Sequence, residues 1–513
     1  MDERRVGSGW AWLSGGVAGL VGLGIAELLS GMLVPLGSPL AAVGSLVIDI
    51  APASVINFGK EVLGFADKPV LLVVVGAVAL AVAGLSGRLE SARSGAGLIG
   101  PVLLTVISLI AIADQPDVSA GAYFPVVIGL AAAYLVLRGL ISRSRRLAPR
   151  GRASRDRQPT GRRGFLILAG SLGVGAVLLG GASRTLSRGK AVAAEARSKI
   201  RLPAPRHPAG PVPKGADLDV PGITPYVTAN GAFYRVDTAL RVPTVDPADW
   251  TLSITGMVEH PVTITFDQLQ ALPLSEFYVT LTCVSNEVGG NLAGNARWLG
   301  YPIRELLQRA GVRSGADMVL SRSVDGFTAG TPLSTLTDPD RDAIIAIGMN
   351  GVPLPPEHGF PARLVVPGLY GYVSATKWVT ELKVTSFADD HGYWTPLGWS
   401  AHGPIKLASR IDTPTGTVDA GTVAVGGVAW SQHVGVERVE LRVDDGPWRR
   451  AKLGEAVSDD TWRQWSYRWA ADPGKHRLTV RATDKNGMTQ TSAVAPPAPN
   501  GATGWHTVDV QVS

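Results

Sequence analysis

Three short segments of this 513-residue chain gather the residue types that do chemistry. Cys283, the single cysteine, closes a β-rich run and is followed by Val284-Ser285-Asn286-Glu287-Val288-Gly289-Gly290-Asn291. A lone buried cysteine is commonly a small core hydrophobe. At the mouth of a polar, glycine-rich loop, a cysteine can also serve as a thiolate ligand, because backbone approaches a cofactor closely there. The second segment holds Glu357-His358-Gly359-Phe360-Pro361-Ala362-Arg363, then Tyr370 in a glycine-rich loop, then Ser374 and Lys377-Trp378. Its Arg offers a bidentate fork and its Lys a point charge, together a cradle for an anion such as phosphate. Spacing alone fits scattered surface cations equally well. The third is Asn230-Gly231-Ala232-Phe233-Tyr234-Arg235, whose aromatics wall a flat ligand or join a core.

One cysteine excludes an intrachain disulfide and Cys-rich zinc or iron–sulfur sites. The net charge of +6 is no nucleic-acid signature. Much of the excess lies in one run from Arg138 to Arg163, with no basic stripe and interleaved aromatics elsewhere.

The elements that must position these residues lie between Tyr226 and about Trp399. Trp250–Thr255 alternates as a strand. Thr265-Phe266-Asp267-Gln268 reads as a capping box opening a helix through Leu272. Phe277–Thr282 is the β run that delivers Cys283. Pro302–Ala310 is a helix with Pro in its first turn and Gly311 after it. Ala343–Ile347, Ala362–Val366 and Lys377–Val384 are further strands, and Asn350-Gly351 is a tight turn. Mixed α+β follows. From Pro404 to Ser513 the pattern is all-β, with Asp445-Gly446 and Asn486-Gly487 as hairpin turns, and predicts an immunoglobulin-like sandwich.

Upstream the chain changes character. Mean hydropathy is +0.18, high for a soluble enzyme. Four apolar stretches, Trp10–Val34, Pro69–Ser86, Ala96–Ala113 and Ala122–Leu137, approach the ~20 residues that cross a bilayer. Alternating their connections puts Arg4, Arg5, Arg88, Arg93 and the 138–163 loop on the cytoplasmic side. Leu36–Phe65 is then extracytoplasmic and partly re-entrant, with Glu27 and Asp49 near the interfaces. A fifth apolar segment, Phe165–Gly181, follows Gly161-Arg162-Arg163-Gly164-Phe165-Leu166, which resembles a twin-arginine export signal. Either as that signal or as a stop-transfer helix, it carries Ser187 onward out of the cytoplasm. The first of eight histidines is His207, so these helices cannot hold a bis-histidine haem. Between Arg201 and Pro225 seven prolines predict an extended spacer. The expected domains are 1–185 in the membrane, 186–225 as linker, 226–403 as catalytic domain and 404–513 as sandwich.

Taken together, the three segments resemble the sulfite oxidase family of molybdopterin enzymes, from Tyr226 to Ser513. "LTCVSNEVGGNLAGNARWLGYPIRELL" is similar to the family's cysteine segment, and "EHGFPARLVVPGLYGYVSATKW" to its pterin-binding segment. "NGAFYRVD" is similar to the first pterin-contacting loop. The resemblance implies a molybdenum–pterin cofactor with Cys283 as metal ligand, and Asn230, Phe233, Tyr234, His358, Arg363, Ser374 and Lys377 as cofactor contacts. It implies Arg235 in the substrate pocket and a dimerisation role for the sandwich. No haem or iron–sulfur centre is expected in the chain, so electrons pass to or from another carrier, quinone-linked or a cytochrome. The implied reaction is two-electron oxygen-atom transfer on a small substrate at an extracytoplasmic site of the cytoplasmic membrane. Where sulfite oxidases carry paired arginines after the cysteine, this chain has Asn286-Glu287-Val288, a change that disfavours a small dianion. A neutral oxide such as a sulfoxide, sulfite in an altered pocket, and a non-catalytic binding protein are three separable readings.

Overall fold

The computed structural model describes residues 7–33, 38–52, 55, 59, 62–63, 66–115, 120–147, 167–176, 195–240 and 242–513. The chain forms two compact units, one of Met1–Ala196 with Ala239–Thr244, the other of Arg197–Thr238 with Val245–Ser513.

In the first unit, four helices are long and apolar enough to cross a membrane: Ser8–Leu33, Asp67–Ala92, Ala96–Ala113 and Ala120–Arg145. They coincide with the four apolar stretches and extend past them by up to eight residues into polar ends. The helix Ser8–Leu33 packs on Asp67–Ala92 through Ala11, Gly15, Ala83 and Gly87, small residues that let two helix backbones approach. The stretch after the first helix holds a short helix, Pro39–Ile50. Glu27 is buried within the helices. It accepts the Ser38 hydroxyl and the Leu40 N–H, each at 2.9 Å, and so satisfies the N-terminus of that short helix. A further apolar helix spans Ile167–Ala176. The paired arginines Arg162 and Arg163 lie outside the described residues.

The second unit begins on the proline-rich stretch, which is extended but not free. Arg206 N–H donates to Leu274 O and Glu276 N–H to His207 O, at 2.7 and 2.9 Å. Further on, Tyr226 N–H donates to Asp217 and Thr224 N–H to Asp412. Such a stretch lies along the second unit's own domains rather than acting as a loose tether.

Two sheets build the catalytic domain. The first has the order β2-β1-β10-β5-β6: β1 Thr251–Gly256, β2 Val262–Thr265, β5 Met318–Ser323, β6 Thr328–Pro332 and β10 Val379–Thr385. Only the β1–β10 pairing is parallel. The second runs β3-β4-β7-β8, with β9 on β7: β3 Ser275–Thr282, β4 Ala293–Pro302, β7 Ile344–Met349, β8 Val352–Pro353 and β9 Arg363–Val365. Because side chains alternate along a strand, β7 feeds two cores at once. Ile345 and Ile347 join Leu252, Leu306 and Leu382 on one side. Ile344 and Ala346 join Trp298, Phe233 and Phe360 on the other. A sheet buried on both faces reads as a continuous apolar run.

The capping box at Thr265 is present, with Thr265 N–H on Gln268 Oε1 at 2.9 Å, but its helix is only Phe266–Gln270. The helix Ile303–Ala310 ends on Gly311 in the left-handed region, as its sequence predicts. Asn350 and Gly351, at φ 52° and 82°, make the expected tight turn between β7 and β8.

Residues 408–512 form two facing sheets around Val425, Val439, Trp465 and Val480. One has the order β11-β13-β17-β16: β11 Ala408–Thr413, β13 Gly421–Trp430, β16 Lys452–Leu453 and β17 Arg463–Ala471. The other runs β12-β19-β18-β14-β15: β12 Gly416–Val418, β14 Val436–Val443, β15 Arg449–Arg450, β18 Gly474–Asp484 and β19 His506–Val512. This β domain caps the open edge of β3. Thr280 N–H donates to Asp460 O at 3.0 Å, the Thr280 hydroxyl accepts Trp462 N–H at 2.8 Å, and Gln432 Nε2 donates to Thr280 O.

Candidate active site

Strand β3 carries the chain to Cys283, which is 8% exposed and whose N–H is fixed on Leu292 O at 2.9 Å. Asn286 Oδ1 accepts the Leu292 N–H at 2.7 Å, so the side chain of the loop closes the loop. Two tyrosines stand close enough to feel a charge on the thiol. Burial holds the Tyr370 phenol up at about 12, with Cys283 contributing. The Tyr234 phenol is raised further still, by desolvation first and then by Cys283.

A basic cradle lies beside it. Arg363, at the start of β9, is buried and spends its donors on carbonyls: Nε to Leu364 O, Nη1 to His358 O and Nη2 to Ala375 O, at 3.2–3.3 Å. The guanidinium carbon sits 5.1 Å from the Trp298 ring centre. No carboxylate pairs with Arg363 among the described residues, and burial alone lowers its pKa to about 10. His358 donates Nε2–H to Asn230 O at 2.9 Å, which leaves Nδ1 as the acceptor of the neutral ring. Burial first, then the nearby Arg363 and Lys377, push its pKa down to about 4. Phe233 packs edge-on against both His358 and Trp298 and stacks on Tyr234.

Lys377 donates to Asp237 Oδ2 at 2.7 Å and to Glu357 O at 3.1 Å. Burial lowers its pKa to about 8 despite the opposing Asp237. The next residue, Trp378, holds φ at 51°, a strained value for a tryptophan, with its indole N–H on Pro356 O at 2.8 Å. Gly359 is what lets the two cations close over one loop. At φ 107°, a Cβ there would stand 2.9 Å from Arg363 Cβ and 3.1 Å from Lys377 Cβ.

The structure therefore brings Asn230, Phe233, Tyr234, His358, Arg363 and Lys377 together with Cys283. Ser374 is buried beside them, its hydroxyl donating to Leu369 O and Tyr370 O. Arg235 is half exposed and bonds Asp237 at 2.9 Å, on the Lys377 end of the cradle. Sequence reading included Asp237 as the last residue of "NGAFYRVD" but gave it no role. It saw Asn350 as a turn and missed its side chain, whose Nδ2 donates to Asn230 Oδ1 at 2.7 Å and Thr228 O at 2.9 Å.

No group of three His, Cys, Asp or Glu able to hold a metal occurs among the described residues. A metal at Cys283 must therefore bring most of its own ligands. A dithiolene cofactor with a phosphate tail does so, and the buried, carboxylate-free Arg363 fits that phosphate.

Residues 239–394 match the family model described as oxidoreductase molybdopterin binding domain. Human mitochondrial sulfite oxidase is 30% identical over 341 residues, covering 56% of this chain and 62% of that protein. The rat enzyme is 29% identical over 340 residues, with the same coverages. Over the matched residues the chain is sulfite oxidase-like and carries an oxidoreductase molybdopterin binding domain. It spans about 62% of the length of those sulfite oxidases. Tomato NADH nitrate reductase is 33% identical over 178 residues, 30% of this chain and 19% of that one. The crystal structure of the sulfane dehydrogenase SoxCD from Paracoccus pantotrophus shares the fold, with TM-score 0.50 and 22% identity over 57% of this chain and 84% of that chain.

Proposed function

We propose that this protein is a membrane-anchored molybdenum oxidoreductase that transfers an oxygen atom to or from a small, uncharged oxide outside the cytoplasm. The observation that carries the reading is the pairing of one thiol, Cys283, with a buried cradle of Arg363, Lys377 and neutral His358. When bound, the cofactor supplies a metal that cycles between oxidation states two electrons apart.

The chain's residues do the rest. Cys283 is the metal's thiolate. Arg363, Lys377 and His358 hold the phosphate and pterin end, and Ser374 braces the loop between them. Asn230 positions His358 through its carbonyl, and Phe233 and Tyr234 wall the pterin. Arg235, held by Asp237 beside Lys377, is the cation that the family resemblance gives to the substrate pocket. For a sulfoxide, the S–O bond breaks, two electrons and two protons are taken up, and oxygen leaves as water. The electrons come from a hydroquinone or a reduced cytochrome. Four apolar helices with basic flanks support a multi-pass anchor, with export by the twin-arginine route, and the β domain is read as an immunoglobulin-like dimerisation module.

Metal analysis tests the core of this reading. Molybdenum near one per chain, lost in Cys283→Ser, is the expected result; its absence in a cofactor-competent host overturns it. A C-terminal reporter active in the cytoplasm would overturn the topology. A second reading, a sulfite dehydrogenase, is favoured by the relatives themselves, whose name states that substrate.

A further inference from the structure

Asn350 sits where a turn alone would be served as well by glycine. It holds φ at 52° between β7 and β8, and Gly351 follows at 82°. A two-residue hairpin turn of this kind needs left-handed backbone at both positions, which Asn, Asp and Gly all supply. The turn explains the backbone and leaves the amide unexplained. Both ends of that amide are occupied. Asn350 Oδ1 accepts the Arg297 N–H of β4 at 2.9 Å. Asn350 Nδ2 donates to Thr228 O at 2.9 Å and to Asn230 Oδ1 at 2.7 Å. The Asn350 N–H closes on Arg297 O at 2.7 Å, so the turn is clamped to β4 by main chain and side chain together.

Asn230 passes this anchoring on. Its carbonyl meets His358 Nε2 at 2.9 Å, while its own amide has only a longer bond, Nδ2 to Met349 O at 3.3 Å, besides the one from Asn350. A carbonyl can only accept, so the ring proton stays on Nε2 and Nδ1 is left as an acceptor. The charged groups around the imidazole are Arg363, Lys377 and Glu357. Among the described residues the Asn230 carbonyl is the single hydrogen-bond partner of the ring. The same strand serves the other end of the site. β4 begins at Ala293, directly after the loop in which Leu292 O holds the Cys283 N–H. Ala293 pairs with Thr282, and further along the strand Arg297 seats Asn350. Thiol and imidazole are thus both set from β4.

We propose that Asn350 is a positioning residue: through Asn230 it fixes His358 as the Nε2–H tautomer and leaves Nδ1 to accept from the pterin. The pterin half rests on the molybdenum reading above; the tautomer half does not. Partners that orient a binding histidine are worth roughly 10–100-fold in affinity at metal sites, and the amide of Asn350 is such a partner at one remove.

The test has two readouts on the full chain. The first is nitrogen NMR of isotope-labelled histidine in cofactor-free protein at about pH 8, where the His358 ring is neutral, with His358→Gln assigning its signal. Wild type is expected to show Nε2 protonated and Nδ1 bare. Asn350→Gly keeps the turn and removes the amide; Asn350→Asp keeps an acceptor for the Arg297 N–H and removes both donors. In each, the Nδ1–H form is expected to rise to at least about a tenth of the molecules. The second readout is release of the pterin from loaded protein, followed by fluorescence of its oxidised form and expected to be about tenfold faster in both variants. Should Asn350→Gly not accumulate as folded protein, Asn350→Asp carries the comparison. A His358 signal that is the same in wild type and variants overturns the proposal, and so does a shifted tautomer with unchanged pterin release. Wild-type protein that takes up no pterin overturns the molybdenum reading instead, and the tautomer result then stands by itself.

Discussion

Lys377 Nζ stands 2.7 Å from Asp237 Oδ2, with both side chains less than a tenth exposed. Asp237 also holds Arg235 at 2.9 Å, so one carboxylate bridges the buried cation and the half-exposed one. Asp237→Asn removes that charge and leaves Lys377 with neutral acceptors only. The expected loss is about 3 kcal/mol, since an unpaired buried charge costs far more than the pair is worth. Denaturant midpoints of wild type and variant measure it, and Asp237→Asn combined with Lys377→Met should recover most of the loss.

Lys377→Met alone separates two roles. Asp237 keeps Arg235 as partner, so stability should fall by about 1 kcal/mol or less. Pterin content of the purified protein should fall at least tenfold, because the cradle loses a phosphate donor. Fluorescence of the oxidised pterin after acid extraction gives the content directly.

Gly359→Ala should be disproportionately severe for the gain of one methyl group. A non-glycine residue at φ 107° costs about 1–3 kcal/mol by itself. The added Cβ also presses on both Arg363 and Lys377. A drop in thermal midpoint together with pterin loss is expected; retention of full pterin content would contradict the packing described above.

His358 makes stability depend on pH. Its folded pKa is near 4, below its ordinary value of 6.5. Between those values the unfolded chain binds the extra proton, so stability is fully present above pH 6.5 and is lost as pH falls towards 4. The contribution is about 2 kcal/mol once partial solvent access is allowed for. Cofactor-free His358→Gln should show a flatter decline of unfolding midpoint across that window.

Much of the catalytic domain was legible because its signals are local. The Thr265 capping box, the Gly311 stop and the Asn350-Gly351 turn each depend on a few adjacent residues. The strand β4, "AGNARWLGYP", was missed because it is buried on both faces and so shows no alternation. The two cradle cations and the cysteine were legible as motif segments, but what unites them was not. Asp237 lies 140 residues from Lys377 and the Asn350 side chain reaches 120 residues back to Asn230, distances that only the folded chain closes. The role of Glu27 was hidden for the same reason: it accepts hydrogen bonds at the start of a helix that begins twelve residues later.

The edge of β3 has a consequence for timing. Thr280, three residues before the cysteine, is held by Gln432, Asp460 and Trp462, and the loop after the cysteine is held by His506. A ribosome that has made Cys283 has 149 residues to add to reach Gln432 and 223 to reach His506. The cysteine loop therefore reaches its braced geometry only once the β domain has been made.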